Sequence, residues 1–264
     1  MIPILYESGF ISIQTLWVFA AIAVLISSYL AIERLKRARV NFTLLIEHST
    51  FILIWSLLVS RTLFFITNHD IYRPAFDLRT FFSFFSIWDQ GLSFWGAIFG
   101  GGIVLFLRLR KSEESLSRWA DALMVPLLVG LGIGALGAFL GGYAYGTPTE
   151  LPWGVLYESF NVKYTVPIHP VQLYECLAIG LILVGKRGLQ KKTSWFQKDG
   201  NSALYFAGSY SFICFFLEFL RGDDTLQLLG IRLTQIAFFF LTLLFAFFIW
   251  KRLKHPHHGS PKTL

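Results

Sequence analysis

The chain reads as an all-α integral membrane protein of about seven transmembrane helices, with the N-terminus outside and the C-terminus in the cytoplasm. Three observations predict this. Apolar runs of roughly 20 residues, the length needed to cross a hydrocarbon core, recur along the sequence between charged connections. The 264 residues are 55% hydrophobic, and the 28 Phe and 8 Trp are spread through every segment rather than gathered into what one soluble core would use. The basic residues, finally, fall almost entirely in alternate connections.

In order, the expected spans are Ile11–Ile32, Leu44–Phe65, Leu92–Leu107, Trp119–Phe139, Val171–Val184, Asn201–Leu220 and Thr234–Trp250. Met1–Phe10 carries no Lys or Arg, so it lacks the basic leader of a cleaved signal peptide and the first run is expected to be retained. Several spans are short or carry Gly or charge, which suits helices packed around a polar interior. Phe81–Trp88 is apolar but too short to cross, and is expected to lie at the interface. The glycines Gly96, Gly100, Gly101 and Gly102, and again Gly130, Gly132, Gly134 and Gly137, include pairs at the small-xxx-small spacing that lets helices approach closely. They do not read as a phosphate-cradling loop, because no strand-to-helix turn surrounds them.

Charge then sets the direction. Arg34, Lys36, Arg37 and Arg39 follow span 1, Arg108, Arg110, Lys111 and Arg118 follow span 3, and Lys186, Arg187, Lys191, Lys192 and Lys198 follow span 5. Lys251, Arg252, Lys254 and Lys262 lie in the tail. The opposite side holds only Arg73, Arg79, Lys163, Arg221 and Arg232. The positive-inside rule therefore puts the long connections Ile66–Gly91, Gly141–Pro170 and Arg221–Leu233 on the outer face. Residues 1–250 are expected to form a single polytopic domain, and 251–264 a basic cytoplasmic tail.

Some classes drop out. The net charge of +7 is a topology signal here, and no aromatic-interleaved basic patch points to nucleic acid. A transporter built from two repeated halves is not supported, since the seven spans show no internal repeat. Cys176 and Cys214 fall inside spans and read as small buried hydrophobes. No metal site or cofactor is expected: His255, His257 and His258 in the tail have no acidic or Cys partner nearby.

Polar side chains at membrane depth are costly, so where they cluster they mark a site. The densest cluster is His169-Pro170-Val171-Gln172-Leu173-Tyr174-Glu175. Pro170 suits the first turn of a helix, and His169, Gln172 and Glu175 at spacings of three can share one helical face. A capped helix start would account for one acidic residue near the positive end of the dipole, but not for the whole polar set. Arg61 lies deep in span 2, where its planar fork fits either a lipid phosphate or a structural ion pair with Asp89 or Glu175. Glu218 and Arg221, three apart at the outer end of span 6, form either a surface pair or part of a shared site. Asp121, Glu47 and His48 read as structural.

The heptapeptide closely resembles the His-Pro-x-Gln-Leu-Tyr-Glu motif of the prolipoprotein diacylglyceryl transferases, integral membrane enzymes of bacterial lipoprotein maturation. The resemblance extends along most of the chain. Trp88-Asp89-Gln90-Gly91-Leu92-Ser93-Phe94 is similar to the family's Trp-(Asp/Glu)-Gly-Gly-(Leu/Met)-Ser-Phe, and Tyr145-Gly146-Thr147-Pro148-Thr149 with Pro152-Trp153-Gly154 looks like its Tyr-Gly-x-Pro-Thr…Pro-Trp-Gly region. Tyr210, Glu218-Phe219-Leu220-Arg221 and Gln235 match parts of its later motifs. The family pattern is not kept everywhere. Ala135, Ala138, Gly141 and Tyr143 stand where the family has Arg, Asn, Asn and Glu, Trp95 replaces a His, and Cys214 replaces an Arg.

The resemblance implies transfer of the diacylglyceryl group from phosphatidylglycerol to the lipobox cysteine thiol of a preprolipoprotein, at the outer face of a bacterial plasma membrane. Its implied partners are phosphatidylglycerol, the precursor's signal peptide and membrane lipid. Such chemistry needs a cation where charge builds on the leaving phosphate, and a base, because the thiolate is the nucleophile and a free thiol has a pKa of about 8.5. His169, Tyr210 and Glu175 are the catalytic candidates. Arg61, Arg221, Gln172, Glu218, Asp89 and Tyr174 are the lipid-binding ones. The rebuilt site expected from them has Arg61 or Arg221 on the phosphate and His169 as base. The alternative is a catalytically inactive homologue that binds lipid or lipoprotein precursor.

Overall fold

The computed structural model describes residues 2–8, 11–68, 84, 91–159 and 161–254. Among these, the chain is mostly helical. It opens with a hairpin of β1 (Ile4–Ser8) and β2 (Ile11–Gln14), followed by α1 (Thr15–Arg37), the short α2 (Thr43–Glu47), α3 (Ser49–Thr67), α4 (Phe94–Lys111) and α5 (Leu116–Gly141). Then come α6 (Val171–Lys192), a single 3-10 turn at Ser194–Gln197, α7 (Asn201–Leu217), a two-residue hairpin of β3 (Gln227–Leu228) and β4 (Ile231–Arg232), and α8 (Leu233–Lys254). Among the described residues four helices, α1, α3, α5 and α8, are long and apolar enough to cross a membrane.

The purely helical expectation is therefore corrected by two antiparallel hairpins, β1–β2 and β3–β4. The first span was expected from Ile11, but Ile11–Gln14 pairs with β1 and the helix starts at Thr15. Alternating Ile-Ser-Ile-Gln suits a pleated strand as well as an apolar run, and Thr15 N–H donates to Pro3 O at 3.0 Å where strand gives way to helix. The expected second span is broken at His48, which is both the C-cap of α2 and the N-cap of α3. α6 continues beyond Val184 to Lys192, because long cationic side chains reach water while their stems stay apolar. α7 stops at Leu217, short of the expected Leu220, and Glu218 serves as its C-cap. The expected interfacial segment Phe81–Trp88, apart from Phe84, and the histidine-bearing tail lie outside the described residues.

The described chain divides into two compact units, Met1–Arg34 with Ala120–Leu264, and Leu35–Trp119. In the second unit α3 and α4 pack along their length. The glycines make this possible: a Cβ on Gly96 would stand 2.5 Å from Ser60 Cα, and one on Gly100 2.3 Å from Trp55 O. Ser93 caps α4, its side chain accepting from Gly96 N–H at 3.4 Å, and Ser60 Oγ ties the two chains by donating to Ser93 O at 2.8 Å.

In the first unit the glycine face of α5 meets α1. Gly137 lies against Phe19 and Gly130 against Ser27, whose hydroxyl donates to Pro126 O at 2.9 Å. A methyl group added at Gly134 or Gly102, by contrast, would meet nothing within 4 Å, so these two are not close-packing positions. Leu128 of α5, Ile179 and Ile182 of α6 and Phe206 of α7 form the buried centre of the helices. Lipid tails are as apolar as these side chains, so this centre is held by close van der Waals fit rather than by escape from water. Asp121 of α5 caps α7 across the bundle: its carboxylate accepts from Gly200 N–H at 2.6 Å and Ala203 N–H at 2.7 Å. It satisfies orphan donors at the positive end of the α7 dipole.

Candidate active site

The site of the first unit is framed by main chain. Segment 145–149 is hydrogen-bonded both to 167–169 and to 220–222. His169 N–H donates to Thr147 O at 3.0 Å, Thr147 N–H to Leu220 O at 2.8 Å, and Gly222 N–H to Tyr145 O at 2.9 Å. The crossing leaves no room for side chains. A Cβ on Gly146 would lie 2.3 Å from His169 O, and one on Gly222 2.5 Å from Gly146 O. Tyr145, Tyr157, Val162 and Ile168 form the buried cluster of this region.

On this frame α6 begins at Val171. Pro170 is its N-cap rather than its first helical residue, with ψ of 68°, and no side chain caps the helix. Glu175 lies beyond the first turn, so a cap does not explain it. Its Oε1 accepts from the Tyr210 hydroxyl of α7 at 2.5 Å, and its Oε2 stands 3.6 Å from Arg221 Nη2. Arg221 Nε is also 3.6 Å from Glu218 Oε1, near enough to pair charges but too long for a hydrogen bond, and Nε is a buried donor without a hydrogen-bond partner. Burial opposes the charge of Arg221, and the carboxylates of Glu218, Glu175 and Asp223 overcome it, raising the guanidinium above its ordinary pKa.

Glu218 is buried, not the surface residue that an i,i+3 pair suggests. Its Oε2 accepts from Arg232 Nε at 2.8 Å and Thr234 Oγ1 at 2.6 Å. Arg232 in turn holds Asp223, donating to its carbonyl at 2.7 Å and its carboxylate at 2.8 Å. The result is a network of Glu175, Tyr210, Arg221, Glu218, Arg232 and Asp223 drawn from α6, α7 and the connection after it. Such a network is costly to desolvate and stands only because its members are paired.

His169 and Tyr174 form a second, separate group. His169 Nδ1 lies 3.3 Å from the Tyr174 hydroxyl, which accepts from Trp153 Nε1 at 2.7 Å. The phenol oxygen has two lone pairs, so it can also accept from Nδ1–H, and that tautomer leaves Nε2 as a proton acceptor. Gln172 is buried and donates through Nε2 to Tyr143 O at 2.6 Å, while its Oε1 has no partner. Nearby, burial pushes the Tyr157 phenol up to about 12, an effect the Gln172 amide partly offsets.

Of the residues expected from sequence, Glu175, Tyr210, Arg221 and Glu218 are brought together, and His169 is joined to Tyr174 rather than to them. Arg61 belongs to the second unit. It is buried there, donating through Nε to Phe84 O at 3.1 Å and through Nη1 to Gly91 O at 2.8 Å, with its guanidinium over the rings of Phe64 and Phe65. Asp89 lies outside the described residues. Sequence reasoning missed Arg232, Thr234, Asp223 and Trp153. Asp223 and Arg232 sit in the connection between α7 and α8, whose charges have no helical spacing, and Thr234 opens α8; the signal that was present is the pairing of a cation in that connection with the carboxylates just before it.

The family model described as prolipoprotein diacylglyceryl transferase matches residues 3–251. Relatives carrying the name phosphatidylglycerol–prolipoprotein diacylglyceryl transferase include one from Prochlorococcus marinus (strain MIT 9215), 28% identical over 239 residues, covering 81% of this chain and 77% of that one. Another, from Thermosynechococcus vestitus, is 27% identical over 239 residues, with 88% and 85% covered. One from Nocardia farcinica is 32% identical over an alignment of 195 residues, with 66% of this chain and 39% of the relative covered. With a match that runs almost from end to end, over the helices and the polar site alike, this chain belongs to the prolipoprotein diacylglyceryl transferase family.

Proposed function

We propose that the chain transfers the diacylglyceryl group of phosphatidylglycerol to the lipobox cysteine thiol of a preprolipoprotein. The observation that carries this is the buried link of Glu175, Tyr210 and Arg221, in which a cation stands at long range from its carboxylates with one donor unspent. Such a group can take a phosphate oxygen without first breaking a short hydrogen bond.

The roles follow from the chemistry. The thiol gives its proton to His169 Nε2, and the sulfur attacks the glyceryl carbon that is bonded to the phosphate. The carbon–sulfur bond forms as the carbon–oxygen bond breaks, the electron pair goes to the phosphate oxygen, and glycerol phosphate leaves. Arg221 offsets the charge arriving on that oxygen, while Glu175 and Tyr210 hold its guanidinium in place. Gln172 and Glu218 orient the surrounding loops, and Tyr174 fixes the His169 ring. Arg61 and Asp89 remain candidates for the lipid headgroup. The setting is a bacterial plasma membrane, with seven spans, the N-terminus outside and the site near the outer leaflet. The uneven division of Lys and Arg between alternate connections supports that orientation.

Complementation tests the proposal. Expressed in a bacterium depleted of its own transferase, the chain is expected to restore growth and the mass shift of a reporter lipoprotein, and His169→Ala is expected to abolish both. Failure of the unaltered chain, with its presence in the membrane verified, overturns the reading. Ala135 and Cys214, apolar where the family pattern has arginines, favour a second reading in which the chain binds lipid or precursor without turnover. That reading expects no complementation but retained binding of phosphatidylglycerol by the purified protein.

A further inference from the structure

Away from the polar network, the second unit carries an apolar groove of about 390 Å³ between α3 and α4. Its walls include Trp55 and Val59 of α3 and Ile103 and Leu107 of α4, and it closes at Arg108 and Lys111. Gly100 lines the groove, and its missing Cβ lets Trp55 O approach. From Gly100 to Lys111 is about 16 Å along the helix at 1.5 Å per residue, close to half of a hydrocarbon core of about 30 Å. One end is thus wholly apolar and the other cationic, at the spacing of a single lipid leaflet.

The two cations could be there only to complement the C-terminal dipole of α4, as Arg110 also does. Two facts go beyond that. Arg108 and Lys111 line the groove, whereas Arg110 does not. The Arg108 guanidinium is also held over the Phe51 ring, 5.6 Å from its centroid, at the groove's mouth.

We propose that this groove binds one acyl chain of an anionic phospholipid, in the leaflet at the basic end of α4, with its phosphate held by Arg108 and Lys111. Charge complementarity selects the occupant: an uncharged apolar segment would leave both cations without a counter-charge, and a zwitterionic lipid brings its own ammonium into competition for the phosphate. The site lies at the opposite end of α4 from Ser93 and is independent of the transferase reading. Its occupant is a structural or regulatory lipid rather than the donor.

Trp55 provides the probe. The protein is reconstituted in phosphatidylcholine nanodiscs containing phosphatidylserine brominated on its acyl chains, or brominated phosphatidylcholine at the same fraction. The Trp55 contribution to quenching is isolated by subtracting the Trp55→Phe variant. Brominated phosphatidylserine is expected to quench Trp55 at lower mole fraction, with the preference falling about fivefold for each cation removed in Arg108→Gln and Lys111→Gln. Arg110→Gln, equal in charge lost, is expected to keep the preference. Equal quenching by the two headgroups overturns the proposal. So does a preference that survives the double Gln variant, or one that Arg110→Gln lowers as much as Arg108→Gln does.

Discussion

The Tyr210 hydroxyl and the Glu175 carboxylate meet at 2.5 Å, joining α7 to α6 at the point where Arg221 comes back toward both. The carboxylate is shared, one oxygen for the phenol and the other for the guanidinium. Removing the phenol oxygen leaves Glu175, only 12% exposed, short of a donor. Tyr210→Phe is expected to cost about 1.5–3 kcal/mol of stability, the range for a hydrogen bond to a charged group. Thermal unfolding of the purified protein in detergent measures it. Should the transferase reading hold, reporter-lipoprotein modification is expected to fall with it.

Glu218 is expected to be less replaceable than its pairing with Arg221 at 3.6 Å suggests. Glu218→Ala takes from Arg232 one of its two carboxylates, leaving it Asp223, and frees Thr234; the bonds lost to Oε2 are 2.8 and 2.6 Å. Losing a buried hydrogen bond to a charged group is expected to cost about 1.5–3 kcal/mol. Glu218→Gln, which keeps an acceptor for Thr234, is expected to fall between Ala and the unaltered chain in the same unfolding measurement.

The glycines divide into two kinds, and substitution separates them. Gly146→Ala places a methyl 2.3 Å from the His169 carbonyl, a backbone atom that cannot swing aside. It is expected to cost about 1–3 kcal/mol, as overpacking does. Gly134→Ala meets nothing within 4 Å and sits inside α5, so it is expected to be neutral or to stabilise by up to about 1 kcal/mol through helix propensity. Parallel melting curves of the two variants decide the matter.

Asp121→Ala removes both acceptors that α7 borrows from α5. A loss of about 0.5–2 kcal/mol is expected, as for other helix caps, with faster amide exchange at Gly200 and Ala203 than elsewhere in α7. Exchange followed by mass spectrometry reads this locally.

What the sequence made legible, and what it hid, divides along physical lines. The helices were visible because a membrane-crossing segment must be apolar over its whole length, and α1, α5 and α8 say so in their own residues. Glu175 and Arg221 were visible because charge at the edge of such a segment is expensive, and Tyr210 only through the family resemblance. Strand β2 was hidden because Ile11-Ser12-Ile13-Gln14 merges with the apolar run after it. The break at His48 was hidden because the apolar run passes through it. Arg232 was hidden for a different reason: its value comes from Glu218 and Asp223 reaching it in space, and no periodicity records that. Asp121 read as structural, but nothing local announces that the helix it caps is another one.

The double hydrogen bonding of Thr147 couples two groups mechanically. His169 and Leu220 both bond the main chain of Thr147, so the histidine and the neighbouring Arg221 ride on one girder. A bulky molecule arriving between them cannot pry them apart without tearing several amide pairs at once. Entry is then expected past side chains at the rim, where Trp153 is exposed, while the jaws themselves stay fixed.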